Sequence, residues 1–573
     1  MNIIGTLISK NYQTFTIVSS SGTVLAELDD VKKVMPCMPY DVVSYSPKEA
    51  KLELVQACYP VLRLVGTLDL MSKMRYGQSS RGVPLFLFRP DCTAYPPFIV
   101  GSRSNDLTRN QRVLVEFESW ISDSGSGSAS VGATTLPRGV LIKTYGPCGD
   151  YKAELAAAEA YATVQLKKRI GDIEDTYKPH LPPGENTIEN IPSDALVFNI
   201  DPPGCEDIDD VIAYRVEYSP SATQIRYWII ISAAAAYVPA GSPLDREAYQ
   251  RSATLYNADG QVLAPMLPEA LSTRAASLKA DGVRRLGVAW EIIVGPAHSI
   301  VEDCGFKLVW VVNGTSYTYE EASTCKHAAH MTNLCKALGP RGSSADPHVW
   351  IETAMVSYNE RFGTWLVDHG CGVVRSHKGA VAERYEAYKR LGGPALAMYA
   401  IEAARYVPYN AVETGHVGLG KQVYTHASSP LRRYADLHNQ HWFLHMTYPG
   451  TYTPPIQTFD CAYTHARSKA LKSYTRAAHF LQCLLVNKPS SIKALIIEVC
   501  VEKGKVRIYV EAWGLIMWWR GVPASVLRPD IIGCVVELKY YVAKNVAGWK
   551  EKFVLELGDS ACSFHLWRNP DAP

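Results

Sequence analysis

One short acidic segment, residues 196–214, constrains the fold of this chain more than any other part of its sequence. An apolar strand is predicted at residues 196–200, a Pro-Pro-Gly turn follows it, and a second apolar strand begins at about residue 210. Five carboxylates lie between the strands: Asp201, Glu206, Asp207, Asp209 and Asp210. Two like charges about 4 Å apart repel by roughly 4 kcal/mol at an effective dielectric constant near 20. These side chains must therefore either be protonated or be neutralised by a cation.

The acidic segment permits more than one interpretation. Hard divalent cations prefer oxygen ligands, and Mg²⁺ commonly shares its shell between carboxylates, water and substrate phosphates. Paired metals on carboxylates are also a recurrent device for hydrolysing phosphodiesters. A solvated acidic turn explains the charges equally well on this evidence alone. A calcium loop of the EF-hand type is disfavoured, because its glycine and terminal glutamate spacing is absent.

A second segment, residues 424–437, carries two arginines behind a Ser-Ser-Pro turn and is called the basic motif below. The turn predicts the start of a helix, where peptide N–H groups favour anions. There, Arg432 or Arg433 could fork onto phosphate oxygens. Taken alone, the motif is more typical of an arginine pair on a helix surface than of a phosphate clamp. The two motifs together are much more specific than either one.

Together the motifs resemble the RNB family, the 3′→5′ exoribonucleases of the ribonuclease II and ribonuclease R type. The acidic signature of the family, Asp-x₅-Asp-x-Asp-Asp, is matched by Asp201, Asp207, Asp209 and Asp210. The family sequence Thr-Ser-Pro-Ile-Arg-Arg-Tyr-x-Asp-Leu is matched from Ser428 to Leu437, with serine for threonine and leucine for isoleucine. Further landmarks occur in family order, so the resemblance covers about residues 80–485.

The resemblance implies processive hydrolysis of single-stranded RNA from its 3′ end to nucleoside 5′-monophosphates. It implies that the four matched aspartates hold two Mg²⁺ ions, with Mn²⁺ as an alternative, and that Arg432 contacts the phosphate at the scissile bond. Tyr256 falls where the family places an aromatic ring that stacks on a base. A half-buried strand tyrosine is the alternative for that position. Arg433 and Tyr434 are expected to contact the substrate as well.

A basic stripe is predicted on the helix at residues 460–486. Its members, spaced i, i+4, i+7, i+11 and i+14, are His465, Lys469, Lys472, Arg476 and His479. Such a stripe suits the backbone of a nucleic acid, and the resemblance favours this interpretation for Lys469, Lys472 and Arg476. A solvated basic face is the alternative.

The sequence also departs from the family. The usual His-Ile-Ala-Asp is replaced by Ile-Ile-Ser-Ala at residues 230–233, and Thr475 stands where many members have a glutamate. Loss of these polar groups could weaken the positioning of a metal. The alternatives to an active enzyme are therefore an RNA-binding protein that has lost catalysis and a non-catalytic subunit of an RNA-degrading or RNA-processing assembly.

The length of 573 residues predicts about three to five domains. We expect a multidomain α+β fold with an RNB catalytic body at residues 151–486. Two cold-shock-type β-barrels are predicted at 1–58 and 59–150, and an OB-type RNA-binding domain at 487–573. Helices are predicted at 153–169 and from Ile351 to Gly370, and a flexible Gly/Ser loop at 122–132.

The remaining composition excludes several classes of protein. A formal charge of +2 excludes a globally basic nucleic-acid coat but not a local basic channel. Fourteen cysteines without a Cys-x-x-Cys pair argue against structural zinc and for a reducing compartment. The longest apolar run has 11 residues, whereas a membrane-spanning helix needs about 20. Without a signal sequence, the cytoplasm is the default location, an organelle or a viral origin are the alternatives, and a monomer is expected to suffice for catalysis.

Overall fold

A computed structural model describes residues 2–9, 12–19, 23–29, 36–59, 61–120, 136–163, 177–184, 187–218, 223–257, 260–339, 345–455, 459–487, 490–542, 553–557 and 565–566. The chain divides into two compact units. One comprises Met1–Leu166, Ala380–Glu402 and Lys469–Pro573, and the other Lys167–Gly379 and Ala403–Ser468. Among the described residues, no helix combines the length and the apolar character needed to cross a membrane.

The unit that contains the chain start is built mainly from β-structure. Its first sheet has the order β3-β2-β1-β4-β5, and a closed barrel follows with the order β10-β8-β7-β6-β9. The strands are β1 (Ile3–Ser9), β2 (Phe15–Val18), β3 (Val24–Leu28), β4 (Val42–Ser46), β5 (Lys51–Gln56), β6 (Arg63–Asp69), β7 (Leu85–Pro90), β8 (Phe98–Gly101), β9 (Gln111–Ser119) and β10 (Arg138–Pro147). Helix α1 (Tyr151–Thr163) comes directly after the barrel.

The same unit ends in a third sheet, with the order β24-β23-β22-β25-β26 and β27 paired to β25. Its strands are β22 (Ile492–Cys500), β23 (Lys505–Val510), β24 (Leu515–Arg520), β25 (Cys534–Val542), β26 (Phe553–Leu557) and β27 (His565–Leu566). Helix α6 (Ala382–Ala397) packs on this sheet, where Tyr388 and Leu396 contact Leu495 and Tyr509. A Gly392-Gly393 kink interrupts the helix.

The other unit is organised around a seven-stranded sheet of order β11-β18-β17-β14-β13-β12-β19. The strands of this sheet are β11 (Glu189–Asn190), β12 (Leu196–Ile200), β13 (Asp210–Tyr218), β14 (Thr223–Ser232), β17 (Arg284–Val294), β18 (Ile300–Val312) and β19 (Ser316–Tyr317). Two small sheets pair β15 (Leu255–Tyr256) with β16 (Val262–Ala264) and β20 (Val373–Ser376) with β21 (Arg405–Pro408). The central strands β14 and β17 are apolar on both faces, because each face of the sheet is covered by its own core.

The helices of this second unit are α2 (Pro243–Arg251), α3 (Tyr319–Ala322), α4 (Ala328–Leu338), α5 (Pro347–Asp368) and α7 (Tyr434–Thr447). They contribute to the larger core, in which Trp350, Tyr358 and Phe362 of α5 and Phe443 of α7 are fully or almost fully buried. Helix α8 (Cys461–Leu481) contains residues of both units.

The structure can be compared with the predicted elements. The helix predicted from Ile351 to Gly370 is confirmed as α5, and the helix predicted at 460–486 is α8 with a π-helical turn at Gln482–Val486. The helix predicted at 153–169 is described as far as Thr163. The predicted Gly/Ser loop at 122–132 lies outside the described residues. The domain boundaries at 58, 150 and 486 stay predictions.

Gly287 of β17 lies so close to β14 that a side chain would not fit. A methyl group added at Gly287 would approach Cγ2 of Ile230 to 2.3 Å. Because Ile230 is β-branched and fully buried, it has little freedom to move away. We therefore expect Gly287→Ala to lower the free energy of unfolding by about 1–3 kcal/mol, measured by urea denaturation. Gly314→Ala is the control, because an added methyl group there meets no described atom within 4 Å. Equal stability of the two variants would contradict the close contact between Gly287 and Ile230.

Candidate active site

The acidic turn, residues 201–210, connects the antiparallel strands β12 and β13 at the edge of the central sheet. Its backbone is fixed by neighbours in the sheet. The Ile208 N–H donates to the Ser277 hydroxyl (3.0 Å), which itself donates to the Glu206 carbonyl oxygen (2.7 Å). The Ser232 N–H donates to the carbonyl oxygen of Asp209 (2.7 Å). These bonds hold the carboxylates in place although they repel one another.

Asp209 joins the acidic turn to the basic motif. Its side chain is 3% exposed, and both of its oxygens accept hydrogen bonds from the basic motif. Oδ1 accepts from the Leu431 N–H (3.0 Å) and Oδ2 from Nε of Arg432 (2.8 Å). Two segments that lie more than two hundred positions apart therefore meet in one ion pair.

The pKa values of three aspartates in the acidic turn are raised, mainly by burial and less by neighbouring negative charges. Burial raises the pKa of Asp209 to about 7, although the guanidinium of Arg432 acts in the opposite direction. Burial, followed by the charges of Asp201 and Asp209, raises the pKa of Asp210 well above its usual value. Burial raises the pKa of Asp201 too, against the hydrogen bond from Asn199. A cation that binds beside carboxylates with raised pKa values stabilises their charged form.

Tyr256 lies against the acidic turn. Its hydroxyl donates to Oδ2 of Asp207 (2.7 Å), and Cys205 lies within 3.6 Å of the other oxygen of Asp207. Burial and the charge of Asp207 raise the pKa of the Tyr256 hydroxyl, so this group remains a proton donor. Burial likewise raises the pKa of the Cys205 thiol to about 12.

A short strap, residues 252–256, connects Tyr256 to Arg432. The Thr254 N–H donates to the Arg432 carbonyl oxygen (3.0 Å), and the Tyr434 N–H donates to that of Ser252 (2.8 Å). The strap leaves α2 at Ser252, which has a φ of +62°. A non-glycine residue in this conformation is strained and persists only where its surroundings fix it. The strap thus holds Tyr256 and Arg432 in a defined relation to each other.

The structure places the other predicted substrate residues in different environments. Nη2 of Arg433 donates to Oδ1 of Asp436 (2.8 Å), and Tyr434 is 2% exposed, with its ring against Tyr249. Both side chains therefore have internal partners. The basic stripe is exposed along α8, as its spacing predicts: His465, Lys469, Lys472, Arg476 and His479. The role of all these residues in substrate binding stays a prediction.

Two residues that sequence reasoning missed also belong to the site. Asn199 donates from Nδ2 to Oδ2 of Asp201 (2.9 Å). Burial, followed by the charges of Asp201 and Asp210, raises the pKa of Tyr319 to about 12. The alternation of side chains along β12 could have indicated Asn199, which is on the same face as Asp201. Tyr319 has no comparable signal, because only the tertiary fold brings α3 to the acidic turn.

The positions that depart from the family motif are filled with apolar packing. Ile230 and Ile231 are fully buried on opposite faces of the sheet, and Ala233 is fully buried beside them. The Ser232 hydroxyl donates to the Ala276 carbonyl oxygen (2.6 Å), and Gln440 donates to the Ser232 carbonyl oxygen (2.8 Å). This region is therefore well packed without the missing histidine and aspartate.

The four matched aspartates have the chemistry that a hard divalent cation requires. They offer carboxylate oxygens in a region of crowded negative charge: Asp201, Asp207, Asp209 and Asp210. The arrangement is not that of a completed metal site. Within the described part of the chain, no group of three or more His, Cys, Asp or Glu side chains is arranged so that it could hold a metal ion. Asp209 in particular is engaged by Arg432 and Leu431.

The residues of the candidate site lie in a part of the chain that matches a known family. The model of the RNB domain matches residues 192–337 and 341–448, which include both the acidic turn and the basic motif. The chain contains an RNB domain. The resemblance predicted from the two motifs is thereby confirmed.

Curated relatives match parts of this chain at moderate identity. Exoribonuclease 2 of Sodalis glossinidius is 34% identical over 153 residues, which are 25% of this chain and 22% of that protein. Exosome complex exonuclease RRP44 homolog A of Arabidopsis thaliana is 28% identical over 276 residues, 47% of this chain and 27% of that protein. Ribonuclease R 1 of Lactococcus lactis is 24% identical over 318 residues, 42% of this chain and 38% of that protein. The chain thus spans less than two fifths of the length of these relatives.

Solved structures extend the similarity beyond the RNB domain. RNase R of Mycoplasma genitalium, in complex with ribose-methylated single-stranded RNA, has a TM-score of 0.67 at 15% identity, covering 97% of this chain and 100% of that one. Yeast Ssd1, described as a pseudonuclease, has a TM-score of 0.63 at 13% identity, covering 94% and 80%. The predicted α+β fold is confirmed, with one closed five-stranded barrel and further sheets that are consistent with OB-type domains. At these identities the similarity shows the fold alone.

Proposed function

We propose that this chain is a metal-dependent 3′→5′ exoribonuclease that acts on single-stranded RNA. The contact between Asp209 and Arg432 carries the proposal, because it joins the acidic turn and the basic motif in one site. A cation-binding acid beside a phosphate-binding arginine can supply the activation of water and the stabilisation of charge that phosphodiester hydrolysis uses. The relatives named as exoribonucleases support this assignment.

In the proposed reaction, a water molecule attacks the last phosphorus atom, the bond to the 3′ oxygen of the preceding nucleotide breaks, and a nucleoside 5′-monophosphate leaves. Divalent cations held by Asp201, Asp207, Asp209 and Asp210 would supply the activation of water and stabilise the leaving oxygen. Arg432 would bind the non-bridging oxygens, on which negative charge accumulates. Tyr256 would stack on a base, which tolerates every base and suits a processive enzyme.

The basic stripe on α8 suits the backbone of the RNA that follows the 3′ end, through Lys469, Lys472 and Arg476. Arg433 and Tyr434 would act beside Arg432, Arg433 through its charge and Tyr434 through its backbone bond to the strap. Relatives named as exosome complex exonucleases make membership of an RNA-degrading assembly part of the proposal.

A second candidate function is RNA binding without catalysis. Its support is specific: apolar packing replaces the polar residues of the family at 230–233, and one structure with the same fold is described as a pseudonuclease. The four aspartates favour the enzyme, because a protein that only binds RNA has no need for their mutual repulsion.

Digestion of a 3′-tailed single-stranded RNA in the presence of Mg²⁺ separates the two candidates. We expect mononucleotides as the main product by thin-layer chromatography, with Mn²⁺ substituting for Mg²⁺ and EDTA stopping the reaction. A circular RNA of the same sequence is the control and should stay intact, because it has no 3′ end. Tight binding of the linear RNA without any cleavage would support the second candidate instead.

A further inference from the structure

The side chain of Arg432 contacts Asp209 at one end and is exposed at the other. Asp209 is buried, whereas the side chain of Arg432 is 43% exposed and extends from Asp209 toward solvent. Its Nε donates to Asp209, while its two terminal nitrogens donate to no group in the described part of the chain. Arg432 can therefore meet an external anion at its outer end while its inner end neutralises Asp209.

The same pair links the two ligands of the proposed reaction. A divalent cation that approaches Asp209 encounters the positive charge of Arg432 and an oxygen already used as an acceptor. A phosphate that approaches Arg432 encounters the negative charge of Asp209. Each ligand would therefore weaken the internal contact that opposes the other.

We infer that Arg432 acts as an internal counter-ion of Asp209, which RNA phosphate draws away, so that RNA and the divalent cation bind cooperatively. The inference rests on the proposed function and concerns the regulation of its site. Because linkage is reciprocal, the cation must strengthen RNA binding by the same factor. A typical coupling corresponds to a change of about 5- to 150-fold in affinity.

Other charged groups face the turn but do not share this role. Lys279 pairs with Glu206 (2.8 Å), which lies outside the four matched aspartates. The hydroxyl of Tyr256 donates to Asp207 without carrying a charge. Among the described residues, Arg432 is thus the cation in direct contact with one of the four aspartates.

The inference is tested by the affinity for Mn²⁺, measured by electron paramagnetic resonance of the free ion. We expect Arg432→Gln to bind Mn²⁺ about 10-fold more tightly than the unmodified protein when RNA is absent. Lys279→Gln removes the same charge beside the same turn, and we expect a change of no more than about threefold. Equal tightening in the two variants would show a general charge effect and overturn the inference, and so would an absence of Mn²⁺ binding.

A second measurement adds a short 2′-O-methyl RNA, and electrophoresis after the titration checks that the RNA is intact. It should tighten Mn²⁺ binding by about 10-fold in the unmodified protein and by a clearly smaller factor in Arg432→Gln, where only direct contact between phosphate and cation remains. The same factor in both proteins would overturn the inference. Neither measurement requires turnover, so a protein that fails to degrade RNA can still show the coupling, and an active enzyme can lack it.

Discussion

Replacing Asp209 with asparagine is expected to slow RNA hydrolysis by about a thousandfold. The amide has no charge with which to hold a cation or to neutralise Arg432. It must also direct its NH₂ group toward either the Leu431 N–H or Nε of Arg432, both of which are donors. The measurement is the single-turnover rate on a 3′-tailed single-stranded RNA at saturating protein.

The matched control is Asp303→Asn. The carboxylate of Asp303 accepts from Nε of Arg361 (2.6 Å) and from the indole N–H of Trp290 (2.9 Å), a donor pattern that resembles the one at Asp209. We expect its hydrolysis rate to stay within about threefold of the unmodified protein. Without divalent cations, RNA affinity measured by fluorescence anisotropy should not fall in Asp209→Asn, because the amide no longer competes with phosphate for the charge of Arg432. Hydrolysis by Asp209→Asn at a rate close to normal would remove this residue from the proposed chemistry.

Replacing Arg432 with lysine is expected to lower kcat by about 100-fold while KM changes by about threefold or less. Lysine keeps the charge but offers a point donor instead of a planar fork. It cannot present two parallel N–H donors to the phosphate oxygens as a guanidinium does. Its effect should therefore appear mainly when charge develops on the phosphate, which is measured by steady-state kinetics with the same RNA.

Arg361→Lys provides the comparison, because Arg361 pairs with Asp303 through the same atoms that join Arg432 to Asp209. We expect kcat and KM of this variant to remain within about twofold of normal. A rise in KM without a loss of kcat in Arg432→Lys would assign Arg432 to uniform RNA binding rather than to the transition state.

Local patterns were sufficient to predict much of this architecture. The apolar segments on either side of the acidic turn located β12 and β13, and the 3.6-residue spacing located α5. Closure of the barrel was implied only by the family resemblance, because it depends on the parallel contact of β8 with β10, which local alternation does not record. The same limit applies to Tyr319, which reaches the acidic turn only through the tertiary fold.

The two arginines of the basic motif show that residue type alone does not predict which side chain reaches the acidic turn. Sequence alone made Arg432 and Arg433 equivalent candidates for a phosphate clamp. The structure separates them, because Arg432 lies on Asp209 whereas Arg433 turns to Asp436, which is fully buried. Which of the two adjacent side chains contacts Asp209 depends on the start of α7, where Arg433 is extended and Tyr434 is the first helical residue.

The strap has a consequence for which substrates the proposed enzyme would accept. Because backbone hydrogen bonds tie residue 254 to residue 432, the ring of Tyr256 and the guanidinium of Arg432 share one frame. In the proposed enzyme, this frame would measure the step from a nucleobase to a neighbouring phosphate, whatever the identity of the base. A strand with 2′–5′ linkages keeps every base and every charge but changes that step, so it would be discriminated against by geometry rather than by sequence.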